Sequence, residues 1–420
     1  MDEIRQTVER FLSACREPVL CEPGEEPIAI SHDNFVLESN HAGVTLQAWD
    51  ARRNLVRRLT GIERRTRGKL VLQVDRFPKR TGTLELVDLE RPASGNVTLR
   101  SGRLQFRDRF RRFLQRQFPT HKLAELTTEA DLEHSLSPAY PRALLRQGSA
   151  AWGAIGASSD AVHVDGVLTF GLIWLDYLRH REPSLAVRGL IIYLPAGREK
   201  TTCLRLLFLD PKAAQYSAFV YDEDGMEAPV DLKDYGNLDT RLDAAKPQPS
   251  TQIRKHIHYS EHPEAWLEAQ VRAHIQEIDA GFLPQPVYGQ VPAFAAAHRG
   301  VLDLLAVESS GTLGVIELKV TEDVHLPLQA LDYWMRVQWH LDRGEFGSHG
   351  YFPGLELRRQ TPRLLLVSPA LDFHPTNERI LRYFSPHIPV ERLGVGLQWR
   401  KELKVMFRSA RACPSRFSKA

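Results

Sequence analysis

The chain has 420 residues, 43% apolar and 25% charged, long enough for two or three domains with proper cores and ordinary in composition for a globular protein. Its longest apolar-rich stretches, Val167 to Leu178 and Leu185 to Pro195, fall short of the ~20 residues that cross a bilayer. The opening segment MDEIRQTVERFLSACREP is too charged for a signal peptide. The expectation is a cytoplasmic protein with no membrane partner. Cys15, Cys21, Cys203 and Cys413 form neither a CxxC pair nor a zinc spacing, which fits a reducing compartment and gives no structural metal. The net charge of +3 is uneven: Ala51 to Thr120 carries 19 Lys and Arg against 6 Asp and Glu, a local +13 that leaves −10 for the rest. Such a block attracts polyanions, although a solvated Arg-rich surface looks the same.

In chain order, Met1 to Pro18 reads as an amphipathic helix with Ile4, Val8, Phe11 and Leu12 on one face. After a Pro- and Glu-rich linker, Ile28 to Leu99 reads as strands broken by turns, a small β-rich module decorated by Arg57, Arg58, Arg64, Arg65, Arg67 and Lys69. Leu104 to Phe118 predicts a basic amphipathic helix: Phe106, Phe110, Phe113 and Leu114 pack inward and Arg111 and Arg112 face out. These arginines and Lys69 are the candidate nucleic-acid contacts. Thr128 is placed to cap a helix over EADLEHSL. Leu168 to Arg179 predicts a helix, and Ala186 to Leu194 and Thr202 to Leu209 predict two strands of a compact α/β region. Asp165, before Gly166, reads as a turn residue. Tyr221 to Thr251 is polar and turn-rich, placing a domain boundary near residue 250. His256, His258 and His262 beyond it read as surface residues, with a metal site the lesser option.

Pro263 opens a helix with Leu267, Val271, Ile275 and Ile278 as its buried stripe. Glu268 borders that stripe and Glu264 lies one turn earlier, so either acid can face the next element. Val301 to Val307 and Leu313 to Val320 are strand-like and flank the turn Ser309-Ser310-Gly311-Thr312, a hairpin. Alternation puts Val315, Glu317 and Lys319 on one side of the second strand and Ile316, Leu318 and Val320 on the other. Charges inside so apolar a run are costly to bury without a use or a partner. Asp303 stands in the same situation among Val301, Leu302, Leu304 and Leu305. The next helix begins near Leu326-Pro327 and projects Gln329 and Tyr333 from one face. His325, just before it, is within reach of a substrate or simply solvated. A strand at Arg363 to Val367, a helix at Asn377 to Phe384 and strands at Gly394 to Trp399 and Leu403 to Phe407 complete a mixed sheet flanked by helices, and the last ten residues read as a disordered tail.

Asp303, the hairpin turn, Glu317-Leu318-Lys319 and the following Gln329-Ala330-Leu331-Asp332-Tyr333 resemble the PD-(D/E)XK nuclease superfamily, nearest its RecB-like and restriction-endonuclease-like branches. The likeness covers residues 255 to 408. It departs from the pattern in having Leu302, not Pro, before Asp303. The resemblance implies a restriction-endonuclease-like domain over 251–410; with the β-rich basic module (1–100) and the α/β region (101–250) read from the residue pattern, the expected fold class is α/β. The resemblance also implies Mg²⁺ or Mn²⁺ held by Asp303, Glu317, the Leu318 carbonyl and Glu268, and catalysis by Asp303, Glu317 and Lys319 with Gln329 and Tyr333 positioning. The implied activity is metal-dependent hydrolysis of DNA; the motif does not distinguish DNA from RNA, and the sequence admits a homodimer. The alternative is an inactive nucleic-acid-binding or assembly protein on the same scaffold.

Overall fold

A computed structural model describes residues 2–410 except 17, 23–27, 32–33, 41–42, 50–53, 66–67, 77–79, 89–98, 132, 160, 162, 223–224, 239, 247–261 and 296–297. His256, His258 and the tail 411–420 therefore lie outside the described residues. The chain is a mixed α/β protein that divides into two compact units, residues 1–147 with 156–161, and residues 148–155 with 162–420. The expected boundary near residue 250 falls inside the second unit. No helix among the described residues is long and apolar enough to cross a membrane.

The first unit contains α1 (Asp2–Ala14), β1 (Pro18–Cys21), β2 (Ile28–Ala29), β3 (Phe35–Asn40), β4 (Gly43–Trp49), β5 (Asn54–Arg65), β6 (Lys69–Arg76), β7 (Arg80–Asp88), α2 (Leu99–Gln117), β8 (Lys122–Thr127) and β9 (Arg142–Gln147). Strands β1 to β7 form an antiparallel sheet in the order β2-β1-β7-β6-β5-β4-β3. Val8 and Phe11 of α1 are buried with Leu46, Leu59, Leu72 and Leu86 of the sheet, as the amphipathic spacing predicts. Strand β5 falls within the span read as strand-like, and its arginines are carried on the strand itself. Buried Leu55 and Leu59 alternate with exposed Val56, Arg58 and Thr60, a strand period. The segment after Thr128 is not a helix. Asp131 and Leu136 form a bridge, and the Asp131 carboxylate accepts from the His134 N–H at 3.0 Å, a local bond that competes with helix formation.

The second unit begins with β10 (Ala150–Gly156, all but its last residue), α3 (Gly166–Arg181), β11 (Ala186–Pro195), α4 (Lys200–Leu206), β12 (Gln215–Tyr221) and β13 (Glu227–Pro229). Strand β12 is parallel to β11 and β13 antiparallel to β12. α4 corrects an expected strand. Its β-branched Thr201 and Thr202 suggest one, but Thr202, Cys203, Leu204, Arg205 and Leu206 are all buried, and packing on several sides overrides weak local propensity.

The remaining elements are β14 (Thr240–Leu242), α5 (Pro263–Ala273), α6 (Ile275–Ile278), β15 (Tyr288–Ala295), β16 (His298–Val307), β17 (Leu313–Leu318), α7 (Leu326–Asp342), α8 (Glu345–Ser348), β18 (Arg363–Pro369), α9 (Asn377–Leu381), β19 (Val390–Val395) and β20 (Val405–Ala410). They build a mixed seven-stranded sheet in the order β14-β15-β16-β17-β18-β19-β20, parallel only at β17/β18 and β18/β19. Its edge strand β14 comes from the polar, turn-rich segment expected to be a linker. On one face Leu267, Val271, Ile275 and Ile278 of α5 and α6 pack against Leu304, Ile316, Leu318 and Val367. On the other, Tyr333 and Val337 of α7 line a small cavity with Leu305. The β16–β17 hairpin closes through Gly311, whose φ of +87° the turn requires.

Candidate active site

The hairpin brings its charges together because the register pairs Leu304 with Ile316 and Leu305 with Val315, so Asp303 and Glu317 fall at the next rung, where regular pairing stops. There the Leu318 N–H donates to Asp303 Oδ2 at 2.8 Å, tying the two acidic strands together through the residue between Glu317 and Lys319. The Lys319 N–H bonds instead to the Val367 carbonyl of β18, at 3.0 Å. Glu317 lies opposite Ile316 and Leu318 on the strand and so leaves the α5 core for the α7 side. It is 1% exposed, and its Oε2 finds no hydrogen-bond partner among the described residues.

Two acids reach in from α5, with different attachments. Glu264, in the first turn, lies 3.5 Å from Lys319 Nζ. Glu268 is buried, accepts from Gln290 Nε2 at 2.8 Å and sits 3.7 Å from Arg272. Gly289 makes room for it, since a Cβ there would lie 2.5 Å from Glu268 Oε1. The helical acid that meets the lysine is thus Glu264, whereas Glu268 is anchored to β15.

Burial dominates the electrostatics. It pushes the Asp303 carboxyl up to about 6, against the Leu318 N–H and the Lys319 charge, with Glu268 and Glu264 adding to the rise. Glu317 is pushed well above the usual carboxylate range by burial and then by Asp303, with Lys319 opposing. For Lys319 burial favours the neutral amine, but the carboxylates of Glu264, Asp323, Glu317 and Asp303 outweigh it and the ammonium is stabilised. Tyr333 is raised by burial and then by Glu317; its hydrogen bond with Gln329 works the other way. Asp303, Glu317, Lys319, Gln329 and Tyr333 therefore converge electrostatically, together with two acids that sequence reasoning underweights or misses, Glu264 and Asp323. In the sequence Asp323 is only one more charge in the loop after Lys319. His325 is not simply solvated, since its Nδ1 lies 2.9 Å from Thr169 Oγ1.

Among the described residues no group of three or more His, Cys, Asp and Glu is already gathered to hold a metal ion. The residues nonetheless suit a hard divalent cation: buried Glu317 and half-buried Asp303 repel each other, Glu317 Oε2 has no donor among the described residues, and the pair gains from a shared positive charge.

The arginines of the first unit are differently disposed. Arg57 is bonded through Nε and Nη2 to buried Glu22, at 3.1 and 2.9 Å, and Lys69 pairs with Glu85 at 2.8 Å. Arg58 and Arg65 are exposed on β5, and Arg111 and Arg112 on α2, whose Phe106, Phe110, Phe113 and Leu114 are buried. Arg67 and the side chain of Arg64 lie outside the described residues. No family model, curated protein or solved structure matches the chain.

Proposed function

We propose that the second unit is a metal-dependent nuclease of the PD-(D/E)XK type, with a restriction-endonuclease-like catalytic core, that hydrolyses phosphodiester bonds in DNA. The observation that carries this reading is the meeting of Asp303 and Glu317 where the hairpin opens, with Lys319 beside them and Glu317 Oε2 buried without a donor. A divalent cation bound there would give that oxygen a partner.

Asp303 and Glu317 would hold Mg²⁺ or Mn²⁺, with the carbonyl of Leu318, the residue after Glu317, and Glu268 nearby. The bound cation supplies charge neutralisation at the phosphate and makes a water more acidic. Lys319 acts as a cation, because its acidic surroundings hold the proton; its ammonium stabilises the extra negative charge on the phosphate in the transition state. Glu264 orients that ammonium from α5. Gln329 and Tyr333, bonded to each other on α7, form the wall on the Glu317 side. The exposed arginines of the first unit, Arg58, Arg65, Arg111 and Arg112, supply sequence-independent attraction to the phosphate backbone.

The test is incubation of plasmid, linear and single-stranded DNA, and RNA, with Mg²⁺ or Mn²⁺. Cleavage that requires the metal and disappears in Asp303→Asn and Lys319→Gln is expected. Salt-sensitive binding without cleavage would instead identify an inactive binding or assembly protein.

A further inference from the structure

We propose that Arg205, which lies outside the nuclease-like motif, is a positioning residue for the active site: by clamping Asp332 it fixes the rotation of α7 and so the placement of Gln329 and Tyr333. The inference rests on the nuclease reading above and adds a residue to it.

The geometry is that of a fork. Arg205 Nε and Nη2 donate to the two oxygens of Asp332 at 2.9 and 2.8 Å, and Nη1 donates to the Asp165 carbonyl at 3.0 Å. Arg205 is 8% exposed. Two parallel bonds from a planar guanidinium to a planar carboxylate define an orientation as well as a distance. Asp332 lies immediately before Tyr333 and three residues after Gln329, so at about 100° per residue it sits about 60° to one side of Gln329 around the helix axis, with Tyr333 about 40° to the other. Turning α7 about its axis must break the fork.

Other contacts tie α7 to the same neighbouring segments of the chain. Thr169 Oγ1 lies 2.9 Å from His325 Nδ1 at the helix start, the Phe170 ring packs edge-on against that imidazole at 5.5 Å, and Phe208 packs edge-on against Trp334 at 5.7 Å. α3 and the end of α4 thus form a backing for the site's second wall. The fork is the directional member of the set, because ring contacts tolerate sliding. The Asp165 carbonyl, at the start of α3, takes the third arm of Arg205.

The test compares the full-length wild type with Arg205→Lys, the apolar pair Arg205→Met/Asp332→Leu and the reversed pair Arg205→Asp/Asp332→Arg. Lysine keeps the charge but cannot make the fork; the apolar pair removes the fork without leaving a buried charge alone. The expected result is a fall in kcat of about tenfold to a hundredfold for both, with KM for DNA and the Mg²⁺ midpoint within about twofold and melting temperature close to wild type. The reversed pair regains part of the loss. A well-folded apolar pair with unaltered kcat, or a loss confined to KM, overturns the proposal. If the wild type shows no metal-dependent cleavage, the nuclease reading fails by itself, and the clamp is judged by hydrogen exchange over Leu326–Asp342. Faster exchange there in Arg205→Lys, with the rest of the unit unchanged, upholds it; unchanged protection overturns it.

Discussion

The Leu318 N–H donates to Asp303 Oδ2 across 2.8 Å, so one carboxylate both closes the end of a hairpin and feels the charge of Lys319. The two duties separate by substitution. Asparagine keeps an acceptor for the Leu318 N–H and loses the charge; alanine loses both and strands a buried donor, at a cost of about 1–3 kcal/mol. Asp303→Asn is expected to fold as well as wild type and to lose cleavage by at least about a hundredfold, while Asp303→Ala also melts lower. Calorimetry beside a cleavage assay tests this; equal melting temperatures for the two variants would contradict the structural duty.

Proton linkage gives a second prediction. Asp303 is raised from 3.8 to about 6, so the folded, metal-free protein binds a proton more tightly than the unfolded chain. The stability this contributes is complete below the unfolded value and is lost as the pH rises through about 6. Metal-free Asp303→Asn should therefore gain on wild type between pH 4 and 7, by about 1–3 kcal/mol. Cations need the ionised pair, so Mg²⁺ should raise the melting temperature at pH 7.5 and have little effect at pH 5. A stabilising effect of Mg²⁺ independent of pH would count against Asp303 and Glu317 as its ligands.

Glu264 and Lys319 form a half-open pair, with the Glu264 side chain 50% exposed. Such pairs add little to stability. Glu264→Gln should leave the urea midpoint unchanged and lower cleavage by less than about tenfold, whereas Lys319→Gln should abolish cleavage but retain Mn²⁺ binding by calorimetry. Retained cleavage in Lys319→Gln would remove the lysine from the chemistry.

Away from the site, Arg363 on β18 bonds to Glu308, to Asp279 at 2.8 Å and to Glu391 at 2.7 Å, and Arg408 shares the last two at 3.0 and 2.6 Å. Removing the hub leaves Asp279 and Glu391 to Arg408 alone and takes the guanidinium away from partly buried Glu308. Arg363→Met should cost about 3–5 kcal/mol in urea unfolding, with residual cleavage proportional to the folded fraction.

For the first unit, the test is the salt dependence of DNA binding. Arg111→Gln/Arg112→Gln should flatten the plot of log affinity against log salt by about one for each phosphate that the variant no longer neutralises. Arg57→Gln should change it less, since Arg57 is already bonded to Glu22.

Local pattern carried a large part of this protein. The stripes Val8/Phe11 and Leu267/Val271/Ile275/Ile278 are buried as their spacing requires, because a helix that must hide one side writes a 3.6-residue period into its sequence. The hairpin from Val301 to Leu318 is legible for a similar reason, since strand alternation and a Gly turn are local, and with it Asp303, Glu317 and Lys319. Arginine-rich β5 keeps the same alternation beneath its charge, whereas α4 cannot be read because burial on several sides leaves no period. Which of two helical acids meets Lys319, that β14 joins the sheet of the site, and that Arg205 grips Asp332 across 127 positions were decided by the tertiary structure alone. Those contacts join residues far apart in the chain, and a charge's partner is set by distance in space, which no local period records.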